Sequence, residues 1–226
     1  MLSVIIPTLN AEQDLPLTLS ALIPGVVSGL IKEVVISDGG SIDQTCEMAE
    51  NTGCRCVTGP SGRGVQLAKG ARAARGDWLL FLHADTVLSP GWDEEVSHYM
   101  SQSYAAAHAG VFRFALDDFR PQARRLERMV ALRCRLLALP YGDQGLLIHR
   151  SLYDQTGGYA ELPLMEDVDL IRRIGRKRLI YFRSTAQTSA TRYINGGYLR
   201  RPLRNLLCLS LFFLRVPPRH ITRLYG

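Results

Sequence analysis

Within the first 90 residues, four short apolar runs each stop abruptly at a turn residue or a carboxylate. Leu2–Ile6 closes at Pro7, residues 32–37 at Asp38-Gly39-Gly40, Cys54–Val57 at Gly59-Pro60, and Leu79–Leu82 at His83-Ala84-Asp85. Apolar runs of that length read as strands, and a run unbroken by polar residues reads as a strand buried on both faces. Helix-length stretches lie between them. Asn10 caps one that carries Leu15, Leu19, Leu22 and Ile23, with Pro16 tolerated so early. Ser41 with Asp43 opens a second that ends near Gly53, and Arg63 to Ala74 forms a third, stopped by Gly76. The alternation predicts an α/β fold, a mostly parallel central sheet flanked by helices. Sheets of this kind bind ligands outside the carboxyl ends of their strands. Pro7-Thr8-Leu9-Asn10, the Asp38 loop and His83-Ala84-Asp85 are therefore expected at one edge.

After Ser89 the pattern changes. Pro90 is predicted to start a helix running to about Gln102, residues 109–116 a strand, and residues 119–139 a long helix with six Arg. A strand over 145–149, a helix over 166–176, a strand over 179–182 and a helix from Tyr198 to Leu214 follow, with Pro217-Pro218 ending the last. No repeat, low-complexity segment or linker marks a boundary. A single domain over residues 1–226 is expected, in three stretches, 1–90, 91–190 and a helical tail over 191–226. The apolar run Leu206–Leu214 is nine residues long, far short of the ~20 that a membrane span needs. Flanked by Arg200, Arg201, Arg204 and Arg215, it suits an interfacial amphipathic helix and a helix docked on the sheet equally well.

Charge is unevenly placed. Asp169 is the last acidic residue, and 13 Lys and Arg follow it. Residues 1–169 carry 14 basic and 21 acidic groups, a net of −7, in a chain whose total is +6. The basic back is expected to meet phosphate or a membrane surface. Nucleic acid is not an expected partner, because the tail lacks interleaved aromatic and basic residues of the RNA-module kind. Five cysteines without a C-x-x-C pair argue against a disulfide framework or zinc site and for a reducing compartment. Met1-Leu2-Ser3-Val4 leads straight into a strand, so no secretory signal is expected. The expected location is cytoplasmic, peripheral on the inner face of the cell membrane.

Neither a G-x-G-x-x-G nor a P-loop motif is present. What the strand ends offer is acids. Asp38 suits accepting hydrogen bonds from a base or ribose, with Gly39 and Gly40 allowing close approach of a ligand. Asp85 suits a hard divalent cation shared with phosphate oxygens. Arg63, Gln66 and Lys69 lie at helical spacing, fitting a phosphate clamp or a solvated face. Glu166, Asp167 and Asp169 sit at a helix N-terminus, where the macrodipole favours acids. Their apolar flanks also suit a general base, since paired and partly desolvated carboxylates have raised pKa values. Asp143-Gln144, between apolar runs, is expected to touch ligand or metal.

Residues 3–10, Asp38-Gly39-Gly40-Ser41-Ile42-Asp43, Phe81-Leu82-His83-Ala84-Asp85 and Met165-Glu166-Asp167 together resemble the successive signatures of family 2 glycosyltransferases, which have the GT-A (nucleotide-diphospho-sugar transferase) fold. Arg63-Gly64-Val65-Gln66, Gly142-Asp143-Gln144 and Pro163 to Asp167 further resemble a short bacterial subgroup, the radical-SAM/selenoprotein-associated transferase 2 type. The resemblance implies a nucleoside-diphosphate sugar, UDP- or GDP-linked, at Pro7, Asn10 and Asp38. Thr8, Glu12, Gly39, Arg63, Gln66, Lys69, His83, Ala84, Asp143 and Gln144 are assigned to the same binding role. It also implies Mn²⁺ or Mg²⁺ on Asp85, inversion at the anomeric carbon, and Asp167 as the base supported by Glu166. Two departures stand out. Asp38-Gly39-Gly40-Ser41 replaces a frequent Asp-Asp-Gly-Ser, and the D-x-D motif is reduced to one carboxylate in His83-Ala84-Asp85. No Q-x-x-R-W motif occurs in the tail, so one transfer per encounter is expected. The acceptor is expected to be lipid-linked or at a membrane surface, touched through the basic tail, and a homo-oligomer is compatible with the sequence. The competing reading is a nucleotide-sugar-binding or membrane-surface adaptor of the same fold with weak catalysis.

Overall fold

A computed structural model describes residues 1–198 and 200–225, with backbone alone for Arg192, Asn195, Arg219, Arg223 and Tyr225. The first half follows the predicted alternation: β1 (Leu2–Thr8), α1 (Leu15–Val27), β2 (Ile31–Asp38), α2 (Thr45–Asn51), β3 (Arg55–Thr58), α3 (Arg63–Ala73) and β4 (Trp78–Phe81). These strands pair in parallel in the order β3-β2-β1-β4. The continuous apolar runs have a simple cause. Side chains alternate across a strand, and both faces are covered. Leu2, Val4 and Ile6 enter one core layer while Ile5 enters the other; Trp78 and Leu80 part from Leu79 and Phe81 in the same way.

The second half completes the sheet with β5 (Thr86–Leu88), β6 (Ala109–Leu116), β7 (Leu146–His149) and β8 (Leu179–Thr188), giving the order β3-β2-β1-β4-β7-β6-β8-β5. Three of these pairings are antiparallel and one, β6 with β8, is parallel. Helices α4 (Trp92–Met100), α5 (Pro121–Leu137), α6 (Arg150–Gln155) and α7 (Glu166–Ile174) pack around it. β5 was not foreseen, and it reshapes the sheet. It lies four strands from β4, roughly 19 Å along a flat sheet at ~4.8 Å per strand. Yet only residues 82–85 separate Phe81 from Thr86, a span of at most about 18 Å when fully extended. Those residues instead make a tight turn closed by Thr86 N–H donating to the His83 carbonyl at 3.2 Å. The sheet must therefore curl, and His83-Ala84-Asp85 sits where its two ends meet.

Other corrections are local. The strand expected over 179–182 runs on to Thr188, because β5 and β6 pair with its far half. The helix placed from Pro90 begins at Trp92. The tail holds three helices, α8 (Thr191–Gly196), α9 (Arg200–Phe213) and α10 (Pro218–Tyr225), so Pro217-Pro218 separates two helices and does not end the last. One face of this tail docks. Cys208, Leu209 and Ile221 are buried in the same core as Val168, Leu170 and Ile171 of α7. The opposite face of α9 leaves Leu203, Leu206, Leu207 and Phe213 exposed, with Leu214 just beyond. Among the described residues no helix is long and apolar enough to cross a membrane.

Candidate functional site

Two adjoining cavities open at the carboxyl ends of β1 and β4. The larger, about 420 Å³, is bordered by Pro7, Thr8 and Asn10 from β1 and its loop, and by Ser61, Gly62 and Arg63 at the start of α3. The smaller, about 90 Å³, is bordered by Tyr141, Gly142, Asp143 and Asp167. Arg63, His83, Asp85, Leu164 and Glu166 border both. Asp85 thus stands where the chambers join, on the turn that the curled sheet brings to its centre.

The acids of the smaller cavity are held tightly. Asp167 Oδ2 accepts the Gly142 N–H at 2.7 Å and its Oδ1 accepts the Val168 N–H at 2.7 Å. A Cβ added at Gly142 would lie 2.8 Å from His83 Nε2 and 3.5 Å from Asp167 Oδ2. Glu166 is 1 % exposed, and its Oε1 faces Arg63 Nε at 3.6 Å, beyond hydrogen-bond reach. Burial, with the neighbouring Asp167 charge adding, pushes Glu166 up to about 7, against the pull of Arg63. Asp143 Oδ1 is buried without a hydrogen-bond partner among the described residues. Burial raises its carboxyl to about 6; Arg133 opposes the shift, while the charges of Asp167 and Asp85 add to it.

No group of three or more His, Cys, Asp or Glu that could hold a metal occurs among the described residues. The residues present still fit a hard cation of the Mg²⁺ or Mn²⁺ type. Such a cation is held by one or two carboxylates plus substrate phosphates, and that donor set is present in Asp85, which borders both cavities, and the unpartnered Asp143 Oδ1, which borders the smaller.

Several residues expected to hold a nucleotide do other work. Asp38 is 1 % exposed, and its carboxylate accepts four hydrogen bonds: Gly40 N–H (2.8 Å), Ser41 N–H (2.7 Å), Ser41 Oγ (2.5 Å) and Thr8 Oγ1 (2.9 Å). These donors hold its pKa below the usual range although burial pulls the other way. Asp38 therefore builds the turn and does not face either cavity. The close approach at Gly39 is to Gln66 and Ser61, whose atoms lie 3.0–3.2 Å from a built Cβ, and not to a ligand. Gln66 reaches the larger cavity, yet its amide bridges the Thr8 and Ser37 carbonyls at 2.6 and 3.0 Å. Lys69 donates to the Thr58 carbonyl. Six residues of helix advance about 9 Å, which carries Lys69 away from the cavity that Arg63 borders. Glu12 accepts the Gln44 N–H at 3.0 Å, tying the β1 loop to α2. Gln144 lies behind the site, donating to the Phe112 carbonyl at 3.0 Å and accepting from Cys134 at 3.2 Å. Pro7, Thr8, Asn10, Arg63, His83, Ala84, Asp85, Asp143, Glu166 and Asp167 do come together.

The C-terminal segment supplies residues that the sequence reading passed over. Thr188, Ser189, Tyr193, Arg201 and Asn205 border the smaller cavity, and Thr222 the larger. Thr188 arrives through its pairing with Thr86, next to Asp85. Arg201 and Asn205 arrive because they share a face of α9 with Cys208 and Leu209, whose burial in the main core turns that face inward. The available signal was two polar residues four apart, one helical turn, leading into an apolar run. Asn205 Oδ1 is buried and has no hydrogen-bond partner among the described residues.

The sequence matches the family described as "Glycosyl transferase family 2" over residues 3–160. It is 26% identical over 189 residues to an "Uncharacterized glycosyltransferase" of Haemophilus influenzae, covering 77% of this chain and 62% of that protein. It is 39% identical over 95 residues to a "PGL/p-HBAD biosynthesis glycosyltransferase" of Mycobacterium bovis, covering 39% of this chain and 36% of that one. The chain thus spans under two thirds of the length of either relative. Among solved structures, S. aureus TarS 1-349 in complex with UDP-GlcNAc aligns with a TM-score of 0.67 at 15% identity, covering 99% of this chain and 70% of that one. Glucosyl-3-phosphoglycerate synthase from Mycobacterium tuberculosis, in complex with Mn²⁺, UDP and glucosyl-3-phosphoglycerate, aligns at 0.58 with 21% identity, covering 92% and 78%.

Proposed function

The chain belongs to glycosyl transferase family 2 and has the GT-A fold, and from that premise we propose that it is an inverting, metal-dependent transferase of a sugar from a nucleoside diphosphate to an acceptor hydroxyl. The observation that carries this reading is the pair of chambers sharing Arg63, His83, Asp85 and Glu166. The larger suits the donor. Its diphosphate would lie at the N-terminal end of α3 beside Arg63, where unpaired backbone N–H groups favour anions. The smaller suits an acceptor hydroxyl, which Asp167 faces, with Tyr193, Arg201 and Asn205 as further contacts.

The chemistry is one displacement. The acceptor oxygen forms a bond to the anomeric carbon, the bond from that carbon to the diphosphate oxygen breaks, and its electron pair leaves with the nucleoside diphosphate. Asp167 takes the acceptor proton; its two backbone hydrogen bonds fix the carboxylate for this. A divalent cation on Asp85 and Asp143 would offset charge on the leaving diphosphate. Arg63 adds a fixed positive charge beside it. Residues 1–90 then act as the donor half, 91–190 as the acceptor half, and 191–226 as the tail that closes the acceptor chamber. The solved relatives are complexes of UDP-GlcNAc and of UDP with Mn²⁺, which favours a uridine nucleotide and manganese here. The exposed apolar face of α9, amid tail arginines, supports an acceptor presented at a membrane surface.

The test is donor turnover. With UDP-sugars and Mn²⁺, the wild-type chain should release UDP slowly by hydrolysis. Asp167→Asn should lower acceptor transfer by about 10²–10⁴-fold while UDP binding by calorimetry stays within a few-fold. Asp85→Ala should abolish the Mn²⁺ dependence of that binding. A wild-type chain that binds UDP-sugars with Mn²⁺ yet never consumes them would be a binding protein instead.

A further inference from the structure

A third cavity, about 580 Å³, lies outside the two chambers, between α5 and the strands β6 and β8. Its volume falls in the range of small-molecule sites. The walls are apolar: Phe114 from β6, Tyr181 from β8, Val130, Ala131 and Cys134 from α5, and Ala138 just beyond it. The mouth is cationic, bordered by Arg113, Arg128, Arg135 and Arg176. The guanidinium groups of Arg113, Arg128 and Arg135 have no carboxylate or hydrogen-bond partner among the described residues. Arg176 is engaged, donating to the Leu136 and Arg135 carbonyls at the end of α5. Glu127, the only acid bordering the cavity among the described residues, is already neutralised. Its Oε1 accepts the Leu116 N–H at 2.9 Å and its Oε2 pairs with Arg124 at 2.8 Å.

An apolar trench with three uncompensated guanidiniums at its mouth is complementary to one kind of molecule, an aliphatic chain with an anionic head. The surface beside it agrees. Met129, Leu132 and Leu136 follow Arg128, Ala131 and Arg135 by one residue each on α5 and are 55–59 % exposed, so the trench opens onto an apolar stripe edged by arginines. We propose that this groove binds one anionic phospholipid from a membrane, with an acyl chain against Phe114, Val130 and Tyr181 and its phosphate among Arg113, Arg128 and Arg135. The proposal rests on the membrane-surface reading above and needs nothing from the donor chemistry. It adds a second lipid-facing surface, distinct from the exposed face of α9. Gln144 forms part of the groove wall and is the neighbour of Asp143, so the lipid would lie one residue behind the acceptor chamber.

The experiment uses the full chain and dodecyl phosphate, followed by calorimetry below its micelle concentration. One equivalent should bind, and neither inorganic phosphate nor UDP should displace it. Ala131→Trp, at an exposed position on the groove wall, should weaken binding at least tenfold, as should Arg128→Ala combined with Arg135→Ala. The same variants should sediment less with vesicles of phosphatidylglycerol and phosphatidylcholine, and equally little with phosphatidylcholine alone. Unchanged binding in Ala131→Trp would overturn the groove. Displacement by inorganic phosphate would reduce the site to an anion patch, and displacement by UDP would move the probe into the donor cavity; either result overturns the proposal. If dodecyl phosphate binds as expected but vesicle sedimentation ignores Ala131→Trp, a membrane lipid is ruled out as the occupant. UDP-sugar binding, measured on the same samples, separates a failure here from a failure of the donor reading.

Discussion

At the scale of single residues, the site is a balance between buried acids and the donors around them. Asp38 and Glu166 show the two outcomes. Asp38 is buried with four donors and stays ionised; Glu166 is buried with Arg63 just out of hydrogen-bond reach and shifts up to about 7. The sign of the consequence follows from linkage. A carboxyl whose folded pKa exceeds its unfolded value near 4.5 contributes stability that is complete below that value. The contribution is lost as pH rises through about 7. Asp143, raised to about 6, acts with the same sign. Glu166→Gln removes the loss, so its melting temperature should gain on the wild type between pH 5 and pH 8, by the equivalent of roughly 2–3 kcal/mol. Thermal denaturation across that range checks it, and parallel curves for the two chains would contradict the assignment. Both acids border the chambers, but Asp167 is fixed by two backbone hydrogen bonds, whereas Glu166 Oε1 is buried without one among the described residues.

At the scale of elements, two junctions decide whether the site exists. The first is the β1–β2 edge, where Thr8 and Asp38 are paired neighbours and Gln66 of α3 clamps both strand ends. Asp38→Ala would strand the buried Thr8 hydroxyl and three partly buried donors of Gly40 and Ser41, and unsatisfied buried groups cost about 1–3 kcal/mol each. The expected result is a loss of about 2–4 kcal/mol in urea denaturation, with UDP affinity falling only as far as the loop loosens. A variant of full stability that had lost UDP binding would return Asp38 to direct nucleotide contact. The second junction is α9 on α7. Leu209 is 3 % exposed in the main core, and Leu209→Ala should cost about 2–5 kcal/mol. Because the same helix carries Arg201 and Asn205 into the acceptor chamber, the acceptor KM should rise while the Kd for UDP barely moves. Equal loss of both would mean that α9 serves the fold alone.

At the scale of the whole molecule, a chain with a formal charge of +6 separates its acids from its bases. Asp85, Asp143, Glu166 and Asp167 gather at the two chambers, and arginines line the α5 groove and recur along the tail. Replacing Leu206 and Leu207 by Glu should reduce sedimentation with phosphatidylglycerol vesicles severalfold and leave donor hydrolysis intact, since both side chains are more than half exposed; unchanged sedimentation would remove α9 from the membrane contact. What the sequence determined by itself was whatever depends on near neighbours along the chain. Unbroken apolar runs specify strands covered on both faces, and turn residues end them, so the parallel half of the sheet and the position of Asp85 at a strand end were legible. His83, Asp143, Glu166 and Asp167 were legible as candidates for the same reason, being polar at the border of apolar runs, and Arg63 by its helical spacing with Gln66 and Lys69. Tertiary structure alone decided the rest. β5 is three residues long, too short for its own signal, and it exists because β8 offers it a partner 100 residues away. Arg201 and Asn205 reach the smaller chamber because they share the face of α9 that Cys208 and Leu209 bury, and Tyr193 reaches it from α8. Asp38 looked available to a ligand, and Gln66 and Lys69 looked like a clamp, because spacing reveals which residues share an edge but not which donors and acceptors have already paired. Hydrogen-bond capacity is filled by whatever the folded chain brings within 3 Å, and that is settled between residues distant in sequence.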